Sequence, residues 1–275
     1  MKAGVISEKG MRQEMEDYHF LDMDFGGKGW VFAGIYDGHG GKQAAHHASQ
    51  KLHEVFLRAV LSGLAPQQAF ARAYETTSEE IKEQDSGTTA VTIFIREGRV
   101  YAANAGDARA IVVGREGLRQ LTVDHRLDDT TERQRIVRMG GLVSDPYVRR
   151  GLRGLMPTRT IGDSFFKPVG VIATPSVREY EILKDDLMVV AACDGLFDVM
   201  SNSDVADFVR KSPQPERLLE ALKREVLVKR GGSDNLTIIA VSLDHVPDTK
   251  ERRRHITRIS VARHLVAWLS RKRSG

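Results

Sequence analysis

Two short apolar runs that end in Asp-Gly are the most informative feature of the hydrophobic pattern. Residues 31–36 are mostly apolar and are followed by Asp37, and residues 187–193 are followed by Asp194. Apolar runs of this length bounded by turn residues predict buried strands. A carboxylate at the end of a buried strand is unfavourable unless a cation or a hydrogen-bond donor meets it. These two acids are therefore the first candidates for a functional site.

The remaining periodicity predicts helices in pairs and strands in neighbouring groups. Helical spacing predicts helices over 43–61, 65–82, 129–139, 203–210 and 216–228. Apolar, β-branched or alternating runs predict strands over 4–7, 18–24, 31–36, 88–95, 99–104, 108–113, 171–173, 177–182, 187–193 and 235–243. The Gly- and Arg-rich stretch 140–157 has little periodicity and is predicted to be a long surface excursion. Grouped strands joined by short turns indicate an α+β fold with antiparallel sheets.

Composition narrows the class of protein. The chain has 275 residues and a net charge of +4, but residues 250–275 hold nine Lys and Arg against one acid, which leaves the rest at −4. The basic character belongs to the tail, so no nucleic-acid-binding face is expected on the body. The single cysteine, Cys193, excludes an intrachain disulfide. With no signal peptide or membrane-length apolar run apparent, a cytoplasmic location is predicted.

Acids recur at the ends of predicted strands. Besides Asp37 and Asp194, they occur at Glu16-Asp17, Asp107 and Asp234. Any one of them alone is typical of a turn or a helix cap. Five such positions, two of them closing buried runs, predict that the carboxylates converge at one edge of the core. Converging carboxylates repel unless cations neutralise them, and oxygen ligands favour Mg²⁺ or Mn²⁺.

The same residues fall into an ordered series of motifs. The series, in chain order, is Arg12 to Asp17 (RQEMED), Asp37 to Gly41 (DGHGG), Ser86 to Ala90 (SGTTA), Asn104 to Arg109 (NAGDAR), Asp124-His125, Arg159 to Asp163 (RTIGD), Cys193 to Asp198 (CDGLFD) and Asp234-Asn235. Over residues 4–243 this series resembles the PPM, or protein phosphatase 2C, family of metal-dependent protein serine/threonine phosphatases. The resemblance implies a four-layer αββα sandwich, in which two stacked antiparallel sheets are flanked by helix pairs.

The resemblance also implies two Mn²⁺ or Mg²⁺ ions and a role for each motif residue. Asp37 would bridge the ions, Asp194 and Asp234 would hold the first, and Glu16 with the Gly38 carbonyl would hold the second. Asp17 would orient a metal-bound water, Arg12 would bind the substrate phosphate, and His39 would be the general acid. Asp107 and Asp198, with Asp194, match a weaker third metal site. A hydroxide between the two ions would attack phosphorus directly.

Other interpretations of single residues stay open at this point. Arg12 alone is typical of a surface ion pair, and His39 could be merely solvated near a helix start. Cys193 is interpreted as a small buried apolar residue, because a cysteine-phosphatase loop would need arginine where Val199 stands. A catalytically silent, partner-binding member of the same fold is the alternative function. Such a protein is expected to lack some of the predicted metal or phosphate ligands, and none is missing.

Two regions depart from the family's usual pattern. Within a predicted phosphatase domain over 1–246, a flap over about 126–158 carries Arg149, Arg150 and Arg153. These arginines predict a preference for acidic or multiply phosphorylated proteins. The tail over 247–275 is basic and amphipathic, so it could pack on its own domain or bind an anionic membrane or a partner. A monomer that acts on phosphorylated proteins is expected.

Overall fold

The computed structural model describes residues 1–83 and 85–243. These described residues form sixteen strands and six α-helices. The strands are β1 (Ala3–Glu8), β2 (Tyr18–Phe25), β3 (Trp30–Tyr36), β4 (Gly38–His39), β5 (Gly87–Thr88), β6 (Ala90–Arg96), β7 (Arg99–Ala105), β8 (Arg109–Gly114), β9 (Leu118–Gln120), β10 (Leu142–Ser144), β11 (Tyr147–Arg150), β12 (Arg153–Leu155), β13 (Ile161–Gly162), β14 (Ser176–Glu181), β15 (Asp186–Ala192) and β16 (Leu236–Ser242). The helices are α1 (Gln43–Leu61), α2 (Pro66–Glu80), α3 (Thr130–Arg138), α4 (Asp194–Phe197), α5 (Asn202–Lys211) and α6 (Pro215–Lys223).

Two five-stranded antiparallel sheets form the centre of the molecule. Sheet I has the order β14-β7-β6-β3-β2, and sheet II has the order β1-β16-β15-β8-β9. Strand β3 shows why the central strands are apolar on both faces. Its residues Val31, Ala33 and Ile35 pack in the cluster between the sheets, whereas Phe32 and Tyr36 pack in the cluster that sheet I shares with its helices. A strand covered on both faces reads as a continuous apolar run.

Helices cover the outer face of each sheet. Helices α1 and α2 bury Ala48, Leu52, Phe56 and Phe70 against sheet I. Helices α4, α5 and α6 pack on sheet II, where Leu218 and other buried apolar residues form a separate cluster. The order helix, sheet, sheet, helix is the four-layer sandwich that the family resemblance implies. The prediction of an α+β fold with stacked antiparallel sheets is confirmed.

Three predicted segments differ from the structure. Residues 140–157 are not irregular, because β10, β11 and β12 form a small antiparallel sheet there. Residues 171–173 are not a strand and make only one bridge, between Ile172 and Arg159. The helix predicted over 216–228 is α-helical only to Lys223 and continues as a π-helical turn, Arg224–Lys229. The first two deviations concern short or weakly periodic sequence, where tertiary packing outweighs local preference.

The predicted tail over 247–275 lies outside the described residues, so its packing or membrane binding is not addressed by the structure. Among the residues that are described, no helix is both long and apolar enough to cross a bilayer.

Candidate active site

The antiparallel order of the strands brings the strand-end acids to one edge of the sandwich. Asp37 follows the end of β3, and Asp17 precedes the start of its antiparallel neighbour β2. In sheet II, Asp194 follows the end of β15, and Asp234 precedes the start of β16. The end of one strand and the start of its antiparallel neighbour lie at the same edge of a sheet, so these four acids lie close together.

A cavity of about 680 Å³ opens at this edge. Eight of the predicted catalytic and metal-binding residues line it: Arg12, Glu16, Asp37, Gly38, His39, Asp107, Asp194 and Asp234. Asp17 lies beneath the cavity and is 4% exposed. Asp198 does not line the cavity, and its side chain is more than half exposed. The structure therefore brings together most, but not all, of the predicted residues.

The acids of the cavity disfavour each other's charges. Burial raises the pKa of Asp37 well above its usual range, and the nearby charges of Asp17, Asp194, Asp107 and Asp234 raise it further. Burial likewise raises the pKa of Asp194 to about 7, with neighbouring acids adding to the shift. Carboxylates in such a cluster stay ionised at neutral pH only when cations neutralise them. The cluster is therefore suited to binding hard divalent cations.

Asp17 has unsatisfied oxygens at the base of the cluster. Neither of its carboxylate oxygens has a hydrogen-bond partner within 1–83 and 85–243, although both are buried. Burial raises its pKa to about 6. One oxygen each of Asp17 and Asp37 and the Cys193 Sγ lie within 4.8 Å of one another. Buried polar atoms without partners are rare, so a missing ligand explains Asp17 better than strain does.

Cys193 is a poor candidate ligand in spite of this proximity. Its Sγ accepts a hydrogen bond from the Thr237 N–H at 3.2 Å and donates to the Asn235 carbonyl at 3.4 Å. Burial raises the pKa of the Cys193 thiol well above its usual value, so the thiol stays protonated. Hard cations also prefer oxygen to sulfur. Cys193 is fully buried, as the sequence predicts.

The segment that carries Arg12 and Glu16 is held by Asn235. The Asn235 amide donates to the carbonyls of Lys9 and Glu14, at 2.8 and 3.0 Å, and its oxygen accepts from the Glu16 N–H at 2.8 Å. Gly38 passes close to this segment, since a Cβ there would lie 2.6 Å from the Glu16 carbonyl oxygen. Asn235 thus fixes the segment at the cavity, a role that sequence reasoning missed although the Asp-Asn motif marked the position.

Arg12 is paired with a predicted metal ligand. Its Nη2 donates to Asp234 Oδ2 at 2.6 Å, and the guanidinium is 60% exposed. The surface ion pair considered from the sequence is present, but it lies at the mouth of the cavity. A guanidinium has five N–H donors, so most of them remain open to an anion.

Arg126 bridges the two acids predicted to hold a third ion. Its Nε donates to Asp107 Oδ2 at 2.9 Å, and its Nη2 donates to Asp198 Oδ1 at 3.2 Å. Burial alone would raise the pKa of Asp107 strongly, and the Arg126 charge offsets part of that shift. One guanidinium therefore already compensates part of the negative charge of this pair. Nothing in the sequence predicts this contact beyond the position of Arg126 after Asp124-His125.

His39 pairs with an acid that sequence reasoning left without a role. Its Nε2 lies 2.8 Å from Oδ2 of Asp163, which is 3% exposed. Burial lowers the pKa of His39, but the Asp163 charge and hydrogen bond, with Asp107 and Glu16, outweigh burial and leave the pKa raised. Among the cavity residues His39 is thus suited to carry a proton near neutral pH.

The three predicted flap arginines have different surroundings. Arg153 lines the cavity and forms an ion pair with Asp85. Arg150 donates to the Phe165 carbonyl, and its guanidinium lies 4.6 Å from the centre of the Phe165 ring. Arg149 lies over the Tyr147 ring at 5.4 Å. Only Arg153 of the three is placed to meet a ligand in the cavity.

Comparisons with known proteins agree with this geometry. The family model described as protein phosphatase 2C matches residues 1–236. The chain belongs to the protein phosphatase 2C family. It is 35% identical to probable protein phosphatase 2C 27 of Arabidopsis thaliana, covering 91% of this chain and 70% of that protein. It is 34% identical to protein phosphatase 2C homolog 1 of Schizosaccharomyces pombe, covering 89% and 74%.

A solved structure shows the same fold. The crystal structure of serine-threonine phosphatase 2C from Toxoplasma gondii superposes with a TM-score of 0.77 at 24% identity, over 87% of this chain and 94% of that one. The family resemblance inferred from the motifs is confirmed, and so is the class of enzyme, a protein serine/threonine phosphatase.

Proposed function

We propose that this phosphatase hydrolyses phosphoserine and phosphothreonine in proteins at a two-metal centre, with His39 as the general acid. The observation that carries the proposal is the cluster of partly buried acids that line one cavity and whose pKa values are raised by desolvation and by one another. The partnerless oxygens of Asp17 fit the same interpretation. Such a cluster is unfavourable in an empty site and favourable around cations.

The predicted ligands suit Mn²⁺ or Mg²⁺. Asp37 would be shared by two ions, Asp194 and Asp234 would hold one, and Glu16 with the Gly38 carbonyl would hold the other. Such ions would supply Lewis-acid activation of the phosphate and would lower the pKa of the attacking water. Asp17, which is buried close to Asp37, would orient that water.

The chain's own residues would bind the phosphate and deliver the proton. Arg12 keeps donors free at the mouth of the cavity and would bind phosphate oxygens there. The serine or threonine oxygen is a poor leaving group as an alkoxide, so it needs a proton as the bond to phosphorus breaks. His39 would donate that proton, since it lines the same cavity and its pKa is raised.

A third ion would compete with Arg126. The Arg126 guanidinium already donates to both Asp107 and Asp198. A cation at this position must displace or share those contacts, so we expect it to bind more weakly than the other two.

Phosphorylated proteins are the proposed substrates. That the enzyme is monomeric and cytoplasmic stays a prediction.

The direct test is phosphate release from a phosphothreonine peptide with Mn²⁺, with Mg²⁺ and with EDTA. Asp194→Asn is compared with wild type and with Asp186→Asn, which alters an acid at the opposite end of the same strand, β15. Metal-dependent release that is lost only in Asp194→Asn is expected. Absence of release from folded wild-type protein with either metal would favour the silent, partner-binding alternative.

A further inference from the structure

His39 and Asp163 meet across a small three-stranded sheet. Strand β5 lies in the middle, with β4 on one side and β13 on the other. Gly87 of β5 is opposite His39 in one pair and opposite Gly162 in the other. Asp163 follows Gly162 directly, so the two pairings bring its carboxylate to the His39 ring. The pair is thus made by strand register, between residues 124 positions apart in the chain.

Gly87 leaves the space in which the two side chains meet. A Cβ at this position would collide with Asp163 Oδ2 and would lie 2.5 Å from His39 Nε2. Real Cβ atoms do not approach other heavy atoms so closely, so any side chain at Gly87 would force the pair apart. The hydrogen bond between His39 and Asp163 therefore requires a residue without a side chain at position 87.

The backbone of Asp163 is held in an unfavourable conformation. Its φ is +49°, in the left-handed region that most residues avoid. Its N–H donates to the Ser86 carbonyl at 3.0 Å, and its carbonyl accepts from the Phe166 N–H at 2.8 Å. Strained residues persist where their surroundings fix them, and they are frequent at functional sites. The conformation aims the carboxylate at His39 with little freedom.

The Asp163 carboxylate has few other partners. Among the described residues, His39 is the only side chain hydrogen-bonded to it. Lys167 lies nearby and carries a compensating charge, but its Nζ donates to the Thr160 carbonyl at 2.6 Å instead. No hydrogen bond to His39 Nδ1 is present within 1–83 and 85–243, and the His39 side chain is 31% exposed. Nε2 is thus held by Asp163, whereas Nδ1 has no hydrogen-bond partner among the described residues, in a side chain that lines the cavity.

We propose that Asp163 is a positioning residue that holds the His39 Nε2–H, orients the imidazole and leaves Nδ1 to deliver the proton to the leaving oxygen. The proposal rests on the proposed role of His39 as general acid. A carboxylate acceptor at one ring nitrogen sets the tautomer and stabilises the protonated ring. The proton moves from Nδ1 to the departing alkoxide as the oxygen–phosphorus bond breaks, and the Nε2 proton stays on the ring.

The test uses two substrates that differ in their need for a proton. A phosphothreonine peptide loses an alkoxide, whereas p-nitrophenyl phosphate loses a stable phenolate that needs no general acid. Asp163→Asn keeps a residue that tolerates positive φ and removes the charge. We expect its kcat on the peptide to fall roughly 10- to 100-fold with KM within about twofold, and its loss on the aryl phosphate to be at least about tenfold smaller.

Gly87→Ala tests the same pair by steric displacement instead of by removal of the charge. It leaves both polar residues in place and should produce the same selective loss on the peptide. Asp186→Asn is the matched control, because it makes the same chemical change at a largely buried acid that is hydrogen-bonded to Tyr180 and lies outside the cavity. It should show no selective loss.

Combining Asp163→Asn with His39→Gln separates positioning from an independent effect. If Asp163 acts through His39, the double variant is no slower on the peptide than His39→Gln alone. Additive losses, or equal losses of Asp163→Asn on both substrates, would overturn the inference while leaving the proposed function intact. Failure of wild-type protein to hydrolyse either substrate with Mn²⁺ or Mg²⁺ would instead overturn the proposed function.

Discussion

Two carboxylates, the buried Glu132 and the partly buried Asp37, have opposite pKa shifts in the same molecule. Glu132 in α3 is 2% exposed and accepts hydrogen bonds from Arg135 at 2.5 and 2.6 Å, from Arg159 at 2.7 Å and from Thr158 at 2.6 Å. Burial alone would raise the pKa of Glu132, but these partners lower it far below its usual range. Asp37 is surrounded by acids, and its pKa is raised.

The difference lies in which partners the fold supplies, because burial acts on both groups in the same direction. Around Glu132 the fold provides two guanidinium groups and a hydroxyl, so the charge stabilises the packing of α3 against the strand-like segment at Arg159. Around Asp37 the described residues leave much of the negative charge uncompensated. The protein itself compensates the charge of Glu132, whereas the acids around Asp37 need a bound cation to compensate theirs.

The largest expected effect separates activity from stability. Asp194→Asn should lower metal-dependent hydrolysis by roughly 10³-fold, because it removes a proposed metal ligand. The same change should leave the metal-free protein as stable as wild type or more stable by about 1 kcal/mol, since it removes a repelled charge. Urea unfolding in EDTA measures the stability. A marked loss of stability in EDTA would show that the acids of the cavity support the fold.

Glu132→Gln should show the opposite behaviour. Removing the charge leaves Arg135 and Arg159 without their partner, and the free energy of unfolding should fall by about 3–5 kcal/mol. Activity per folded molecule should stay near that of wild type. Because the pKa of Glu132 is lowered on folding, its contribution is present above the usual pKa of 4.5 and is lost as pH falls below it. Urea unfolding between pH 3 and 7 measures this.

The exposed Glu220→Gln is the matched control for that variant. It should change the free energy of unfolding by less than about 0.5 kcal/mol. Equal effects of the two substitutions would contradict the structural role of the Glu132 cluster.

A smaller effect concerns pH and metal together. Folding raises the pKa of Asp194 from its usual 3.8 to about 7. The protonated carboxyl group therefore contributes fully to the stability of the metal-free fold below pH 3.8, and this contribution is lost as pH rises through 7. Mn²⁺ should compensate for this lost stability. The increase in melting temperature that Mn²⁺ causes should therefore be larger at pH 7.5 than at pH 5.5, by about 4 °C or more. Thermal unfolding with Mn²⁺ or EDTA at both pH values measures this difference. Equal shifts would count against coupling between the acids and the metal.

The smallest effect is expected at the flap arginines. Arg153 lines the cavity, whereas Arg149 stacks on Tyr147 outside it. Arg153→Ala should lower kcat/KM for an acidic phosphopeptide by about 2- to 5-fold, the magnitude of an exposed ion pair. Arg149→Ala is the matched control and should have no such effect. A neutral phosphopeptide assayed in parallel shows whether the change depends on substrate charge. Equal losses on both peptides would contradict a preference for acidic substrates.

Much of the fold could be predicted because its signals are local. The apolar run before Asp37 and the Ala48–Leu52–Phe56 spacing of α1 each record the packing of one element. The small sheet of β10, β11 and β12 could not be predicted in the same way. Its strands are only three or four residues long, and two of them contain arginine, so they show no clear alternation and depend on their neighbours for pairing.

The amino-acid sequence was enough to identify the family, the fold that the family resemblance implies and the set of acids at the strand ends. It does not distinguish an acid whose charge the fold pairs with guanidinium groups, such as Glu132, from one that the fold places among other acids, such as Asp37. It also does not predict the pairing of His39 with Asp163. These points depend on the tertiary structure, because the sign of a pKa shift and the partner of a ring nitrogen depend on charges brought together by strand register from distant parts of the chain.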